Sequence, residues 1–324
     1  MKTNLTLLIV IAVALISCKK DNSMVVKDKP SPPVAVTKYP VSFSTSFSAN
    51  SKPLGLKAIN GVKKTQGTLK DYINFLKYYV TRIDSPGIII KTVIQKSTDP
   101  DFGVIRDTLP KGNYRVVFLG ETEGGTDVVP YSYDWEAPQS TWDLFAFNEA
   151  QSYIPPRPLG DIFVKVVKVT VSERAFTYIE LERLTAKVDV VIQDPIPANV
   201  ARIECREVFT DGYNLITNED YKGSGSGFPY TTFVHQVLPS EIGTRYLTFY
   251  AMSFPQDGTQ INLRAYDAAG KLLFDRYAAD GGGYPVIANT ELIFSGNMFD
   301  NPSTTIVGIN PTWGNIKTVP FTDY

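Results

Sequence analysis

Apolar and polar residues alternate along most of this chain in short runs, and that period of two predicts strands. The runs 42–47, 87–95, 113–119, 162–171, 187–192, 202–209, 246–254, 260–266 and 271–277 are rich in β-branched and aromatic residues, and clusters of Gly, Pro, Asn and Asp separate them. Little of the chain carries helical spacing. The best helical stretch is 140–150, and a short turn at 238–243 holds Pro239-Ser240-Glu241. Strands with turn signals every ten or so residues predict an all-β protein built from sandwiches. Two loops look alike: Asp84-Ser85-Pro86-Gly87 and Asp267-Ala268-Ala269-Gly270 each join two strands, with Asp capping the turn and Gly supplying a positive φ.

The N-terminus departs from this pattern. Lys2 precedes an almost unbroken apolar run from Leu5 to Ile16, closed by Leu15-Ile16-Ser17-Cys18. The run is too short to span a bilayer and has the layout of a secretory signal. Its end resembles the lipobox of bacterial lipoproteins, which implies a signal peptide over 1–17, acylation of Cys18 and retention at the outer membrane. Each buried acyl CH2 contributes about 0.8 kcal/mol, so two or more chains make a durable anchor. Residues 18–40 are charged and then proline-rich (Lys29-Pro30-Ser31-Pro32-Pro33). Such a stretch buries too little apolar surface to fold and serves as a tether.

Removing residues 1–17 from the 324 leaves 307, a length that suits two domains. The mature chain loses only Lys2 of its 32 Lys and Arg, leaving 31 against 33 Asp and Glu. A near-neutral balance without a basic cluster argues against nucleic acid as a partner. With Cys18 committed to lipid, Cys205 has no partner in the chain. Its alternation with Ile203 places it on a core face, where an unpaired thiol is protected.

The expected organisation is an N-terminal sandwich over 41–174, a C-terminal sandwich over 175–299 and a tail over 300–324. The tail carries Trp313 and Phe321 and is expected to pack on its own second domain. The segment Leu109-Pro110-Lys111-Gly112-Asn113-Tyr114 resembles the L-P-x-G-x-Y strand start of transthyretin-like sandwiches, in which the Tyr packs inward. The stretches 184–192 and 285–299 are similar to the second domain of FimB-type fimbrial anchor lipoproteins, and the order of lipobox, spacer and two sandwiches fits that family. The resemblance implies two tandem transthyretin-like Greek-key domains and a lipid-anchored subunit of type V-like fimbriae. Its partners would be other fimbrial subunits, bound by strand complementation, and the outer membrane.

Catalytic chemistry leaves little trace. The one histidine, His235, lies in a strand-like run without a nucleophile motif, and one His with one spare Cys does not make a zinc set. Asp99-Pro100-Asp101 lacks a calcium-loop pattern, and the glycines at 223, 225 and 227 lack the strand-to-helix setting of a phosphate cradle. The expectation is a protein with no catalytic residues, no metal and no cofactor. The aromatic group Tyr131-Ser132-Tyr133-Asp134-Trp135, with Trp142 seven residues on, supports an alternative. Trp135 and Trp142 would stack on sugar rings in a surface glycan-binding lipoprotein.

Overall fold

Period-two burial makes nearly every element of the computed structural model a strand. It describes residues 36–48, 68–132, 136–148, 159–208, 210, 212–220, 230–277, 283–300 and 306–309. In chain order these form β1 (Lys38–Phe47), β2 (Phe75–Arg82), β3 (Ser85–Lys96), β4 (Val104–Pro110), β5 (Gly112–Glu121), β6 (Thr126–Tyr131), β7 (Asp143–Asn148), β8 (Ile162–Val171) and β9 (Ala175–Arg183). There follow β10 (Ala186–Ile192), β11 (Arg202–Val208), β12 (Gly212–Asn214), β13 (Tyr230–Gln236), β14 (Leu247–Ser253), β15 (Gln256–Thr259) and β16 (Ile261–Tyr266). The last are β17 (Leu272–Tyr277), β18 (Tyr284–Val286), β19 (Glu291–Gly296) and β20 (Ile306–Ile309). The helical segments among the described residues are single 3-10 turns at Leu69–Asp71, Gln139–Thr141 and Pro239–Glu241. The all-β class expected from the sequence is the class observed.

The first sheet runs β3-β2-β5-β8-β9-β1-β4 and folds over itself. Val41 and Phe43 of β1, Ile105 and Leu109 of β4 and Ile179 and Leu181 of β9 thereby meet Tyr78 of β2 and Phe118 of β5 in one core. Phe43, Tyr78 and Phe118 form its centre, with ring centroids 5.1–5.7 Å apart. Tyr114 is fully buried and its hydroxyl donates to the Pro110 carbonyl at 2.8 Å, the inward packing that the L-P-x-G-x-Y resemblance implies. The outer face of β2 and β5 is covered as well: Tyr79, Val117 and Leu119 pack on Val128, Leu144 and Ala146 of the β6–β7 hairpin. That second core also takes in Leu184, Tyr213 and Phe254 from later in the chain, and β12 extends the hairpin by pairing with β7.

The later strands make a sandwich of two four-stranded sheets, β14-β10-β19-β20 and β13-β11-β16-β17. Val188, Val190, Ile203, Cys205, Leu263 and Phe294 fill it. Asp194, just beyond β10, closes one end. Its carboxylate accepts the backbone N–H groups of Met298, Phe299 and Asp300 at 2.9, 2.5 and 2.8 Å. Removing a buried acceptor orphans its donors, so Asp194→Ala should lower stability by about 2 kcal/mol in urea titrations with an unchanged slope. A loss under about 0.5 kcal/mol would mean that those N–H groups find water instead.

Three expectations need correction. The helix expected at 140–150 is strand at Asp143–Asn148, because Leu144 and Ala146 point into a core while Phe145 and Phe147 pack edge-on against Tyr131 on the other face. The boundary at 174/175 cuts through the first sheet, since β9 pairs in parallel with β1 and continues from β8. The change of sheet comes at Leu184–Thr185, between β9 and β10. The two Asp-x-x-Gly loops also differ. Gly270 has the expected positive φ of 82°, with Asp267 Oδ1 accepting from the Ala269 and Lys271 amides. Gly87 instead lets a neighbour approach, for a Cβ there would lie 2.3 Å from the Gln139 carbonyl oxygen. In the tail, Ile306–Ile309 pairs antiparallel with β19 of the protein's own second sandwich. Trp313 and Phe321 lie outside the described residues.

Candidate functional site

β3 is a strand of twelve residues at one end of the first sheet, and β2 is its one neighbour in that sheet among the described residues. The turn at Gln139–Thr141 shields its start, beside Gly87. Beyond that point no strand among the described residues pairs with its far side, and at its end the Lys96 N–H donates to Asp99 Oδ2 at 2.9 Å. A register shift beside Val80 and Thr81 splits the strand: Val93 packs on the first core and Ile89 on the second, while Ile88, Ile90, Thr92, Ile94 and Lys96 stay exposed. The three isoleucines among the exposed residues are 49%, 45% and 53% exposed. They are exposed apolar side chains strung along an open edge.

Inward side chains hold β3 in place. The Gln95 amide donates to the Val104 carbonyl at 2.9 Å and accepts from the Gly103 N–H at 3.0 Å, which ties β3 to β4 at the opposite end of the sheet. Lys91 pairs with the buried Asp107 carboxylate, which also accepts from the Tyr78 hydroxyl at 3.1 Å. Burial and that carboxylate together push the Tyr78 phenol well above its usual range. These are side-chain bonds, so they fix the two end strands without spending the backbone edge of β3. On β2, Lys77 reaches Glu121 at 2.7 Å and Asp127 at 3.1 Å and locks the β6 hairpin over the sheet. Burial alone would lower the Lys77 ammonium, but the bonds and charge of Glu121 and Asp127 outweigh it and hold its pKa up.

The residues singled out from sequence fare differently. Cys18 and Trp135 lie outside the described residues. Trp142 is half-buried and its indole N–H donates to the Ala137 carbonyl at 3.0 Å, so its polar tip serves the loop that carries it. Cys205 is buried in the second sandwich, where burial drives its thiol pKa up. His235 Nε2 lies 2.9 Å from Glu241. An open cleft of about 810 Å³ is lined by Tyr213, Glu219, Asp220, Gln256, Asp257 and Ile287, among others. Among the described residues no three His, Cys, Asp or Glu side chains converge as a metal site. The β3 edge was not singled out from sequence. Its signal was the run Ile88-Ile89-Ile90 beside a hairpin turn, which announces a strand but does not say which face stays uncovered.

The model of the family described as fimbrillin-A associated anchor proteins Mfa1 and Mfa2 matches residues 40–313. No curated protein matches the chain. Similar solved structures include a candidate polysaccharide-binding protein of Bacteroides thetaiotaomicron, 13% identical at a TM-score of 0.50, with 86% of this chain and 98% of that one covered. A candidate adhesin of the same organism is 12% identical at a TM-score of 0.50, covering 87% and 98%. The fimbrial anchor protein Mfa2 of Porphyromonas gingivalis is 12% identical at a TM-score of 0.42, covering 87% and 100%. Identities this low speak to the fold alone, whereas the family match spans most of the sequence. The chain belongs to the family of fimbrillin-A associated anchor proteins Mfa1 and Mfa2.

Proposed function

We propose that this protein is a lipid-anchored fimbrial subunit that receives a strand from a neighbouring subunit along the free edge of β3. Family membership supplies the fimbrial setting at the cell envelope. The observation that carries strand uptake is the combination, in β3, of length, an unpaired edge and three exposed isoleucines. Proteins usually blunt such edges with charge, proline or a cover. β4, at the other end of the same sheet, is blunted: Arg106 and Thr108 face outward and Pro110 ends it. A strand added to β3 would gain affinity from main-chain hydrogen bonds and register from its alternate side chains. β3 contains Lys91 and Lys96 and no acid, which favours an incoming strand with acidic residues over a second copy of β3.

The N-terminal pattern supports the anchor. An acylated Cys18 would hold the chain at the outer membrane. The role is structural, without a catalytic step. Purification of the full-length protein from its native outer membrane, beside Ile90→Lys and Cys18→Ala variants, tests this reading. The wild type is expected to bring down a polymer of other fimbrial subunits, Ile90→Lys to lose the polymer at an unchanged melting temperature, and Cys18→Ala to leave the membrane. Polymer retained by Ile90→Lys would remove β3 as the receiving edge. Wild-type protein recovered alone would remove the fimbrial reading.

A further inference from the structure

We infer that the outward face of β1, β4 and β9 is a carbohydrate-binding surface that takes an extended, uncharged oligosaccharide along β1. The register sets three columns of side chains on that face. Ser42, Ser44 and Ser46 of β1 stand opposite Phe176, Tyr178 and Glu180 of β9. On the other side, Ser42 and Ser44 stand opposite Arg106 and Val104 of β4. Residues directly opposite in paired strands share a face, and adjacent strands lie about 4.8 Å apart. The short serines therefore make the floor of a shallow gutter, with aromatic rings as one wall and the β4 side chains as the other.

The wall is unusual for a sheet surface. Tyr178 is 77% exposed and Phe176 55% exposed, and their rings meet at right angles with centroids 4.7 Å apart, so each props the other. Single exposed apolar residues need no explanation, but an adjacent aromatic pair on an otherwise polar face marks a contact surface. The floor states what kind of contact. Among the described residues the hydroxyls of Ser42, Ser44 and Ser46, and that of Tyr178, have no hydrogen-bond partner. Alternate residues of a strand repeat every 6.6 Å or so, which spaces three hydroxyls along the gutter.

A sugar chain satisfies both features. The C–H face of a pyranose ring packs on an aromatic face, and its ring hydroxyls can exchange hydrogen bonds with a row of serines. An apolar strand of a protein would bury the same three hydroxyls without partners, at a cost. Charge narrows the class further: on this face the bases Lys38 and Arg106 balance the acids Glu180 and Glu182, with Arg106 held by Asp101 at 2.5 Å and Glu182 by Lys165 at 2.5 Å. Neither a polyanion nor a polycation is favoured. This surface is separate from the β3 edge, and the inference does not depend on strand uptake.

Affinity electrophoresis of the purified full-length protein through gels containing soluble mannan, xylan, mixed-linkage glucan or galactomannan tests it. At least one polysaccharide is expected to retard the wild type, and Phe176→Ala with Tyr178→Ala to weaken that retardation by about tenfold or more. Ser44→Val should weaken it less, and Ile90→Lys should leave it unchanged. All these side chains are at the surface, so melting temperatures should stay together. Migration unaffected by every polysaccharide, or undiminished retardation of the double aromatic variant, would overturn the assignment. So would loss of fimbrial co-purification in that variant without loss of sugar binding, which would make the face a protein contact.

Discussion

Arg183→Ala should lower the unfolding free energy by about 3–5 kcal/mol, the loss typical of stranding one member of a buried ion pair. Arg183 ends β9 where the chain leaves the first sheet, and its side chain is 2% exposed. Its Nε donates to both oxygens of Asp161, at 2.9 and 3.2 Å, and its Nη1 donates to Asn289 Oδ1 at 3.1 Å. The guanidinium lies 5.1 Å from the centre of the Phe163 ring. Thr185 completes the knot, donating through Oγ1 to Asp161 at 3.0 Å while its carbonyl accepts the Asn289 N–H at 2.9 Å. One cation thus ties the start of β8, the end of β9 and the loop before β19, at the point where the chain changes sheets. Burial raises the Asp161 pKa even though the charge and hydrogen bonds of Arg183 oppose the rise. Without Arg183 the rise is larger, and a carboxyl whose folded pKa is raised loses stability as pH climbs through that value. The deficit of Arg183→Ala in urea titrations should therefore be greater at pH 7 than at pH 4. An equal deficit at both values would assign the loss to packing on Phe163 and not to charge.

The limits of the sequence reading have a common physical origin. Runs rich in β-branched residues between clear turn signals were legible: β8, β10, β11 and β16 sit within about two residues of their expected positions. β2 was missed because both its faces are covered, so Phe75-Leu76-Lys77-Tyr78-Tyr79-Val80 shows no alternation to read. β7 was taken for helix because Phe145 and Phe147 are apolar on the side where a half-buried strand would be polar. The boundary moved because the parallel pairing of β1 with β9 joins residues more than a hundred positions apart, and no local pattern carries that information. The same limit applies to sites. That Phe176, Tyr178 and the three serines share a face depends on the β1–β9 register, and that Ile88, Ile90 and Ile94 are uncovered depends on where the β6 hairpin stops. Trp142, conspicuous by residue type, is engaged by its own loop.

Stability should fall between about pH 5 and pH 8, and Glu207→Gln should make that fall markedly shallower. Glu207 lies on β11 on the inward side with Ile203 and Cys205, and it is fully buried. One carboxyl oxygen meets the Cys205 thiol at 3.4 Å, and the other has no partner among the described residues. Burial pushes its pKa from the usual 4.5 up to about 8; the bond from Cys205 opposes the shift, and the negative charge of Asp189 adds to it. The folded protein therefore holds a proton there that the unfolded chain releases above its own lower pKa. This contribution to stability is complete below about pH 4.5, declines as pH rises through about 8 and then levels off. Glutamine has no proton to lose. Each pH unit inside that window is worth about 1.36 kcal/mol, so Glu207→Gln should gain about 2 kcal/mol on the wild type between pH 6 and pH 8. A fixed offset from its own buried amide leaves that slope intact. Parallel stability curves for the wild type and the Glu207→Gln variant across this range would show that the carboxyl is ionised in the fold, and that the sandwich core admits either water or a cation beside Cys205.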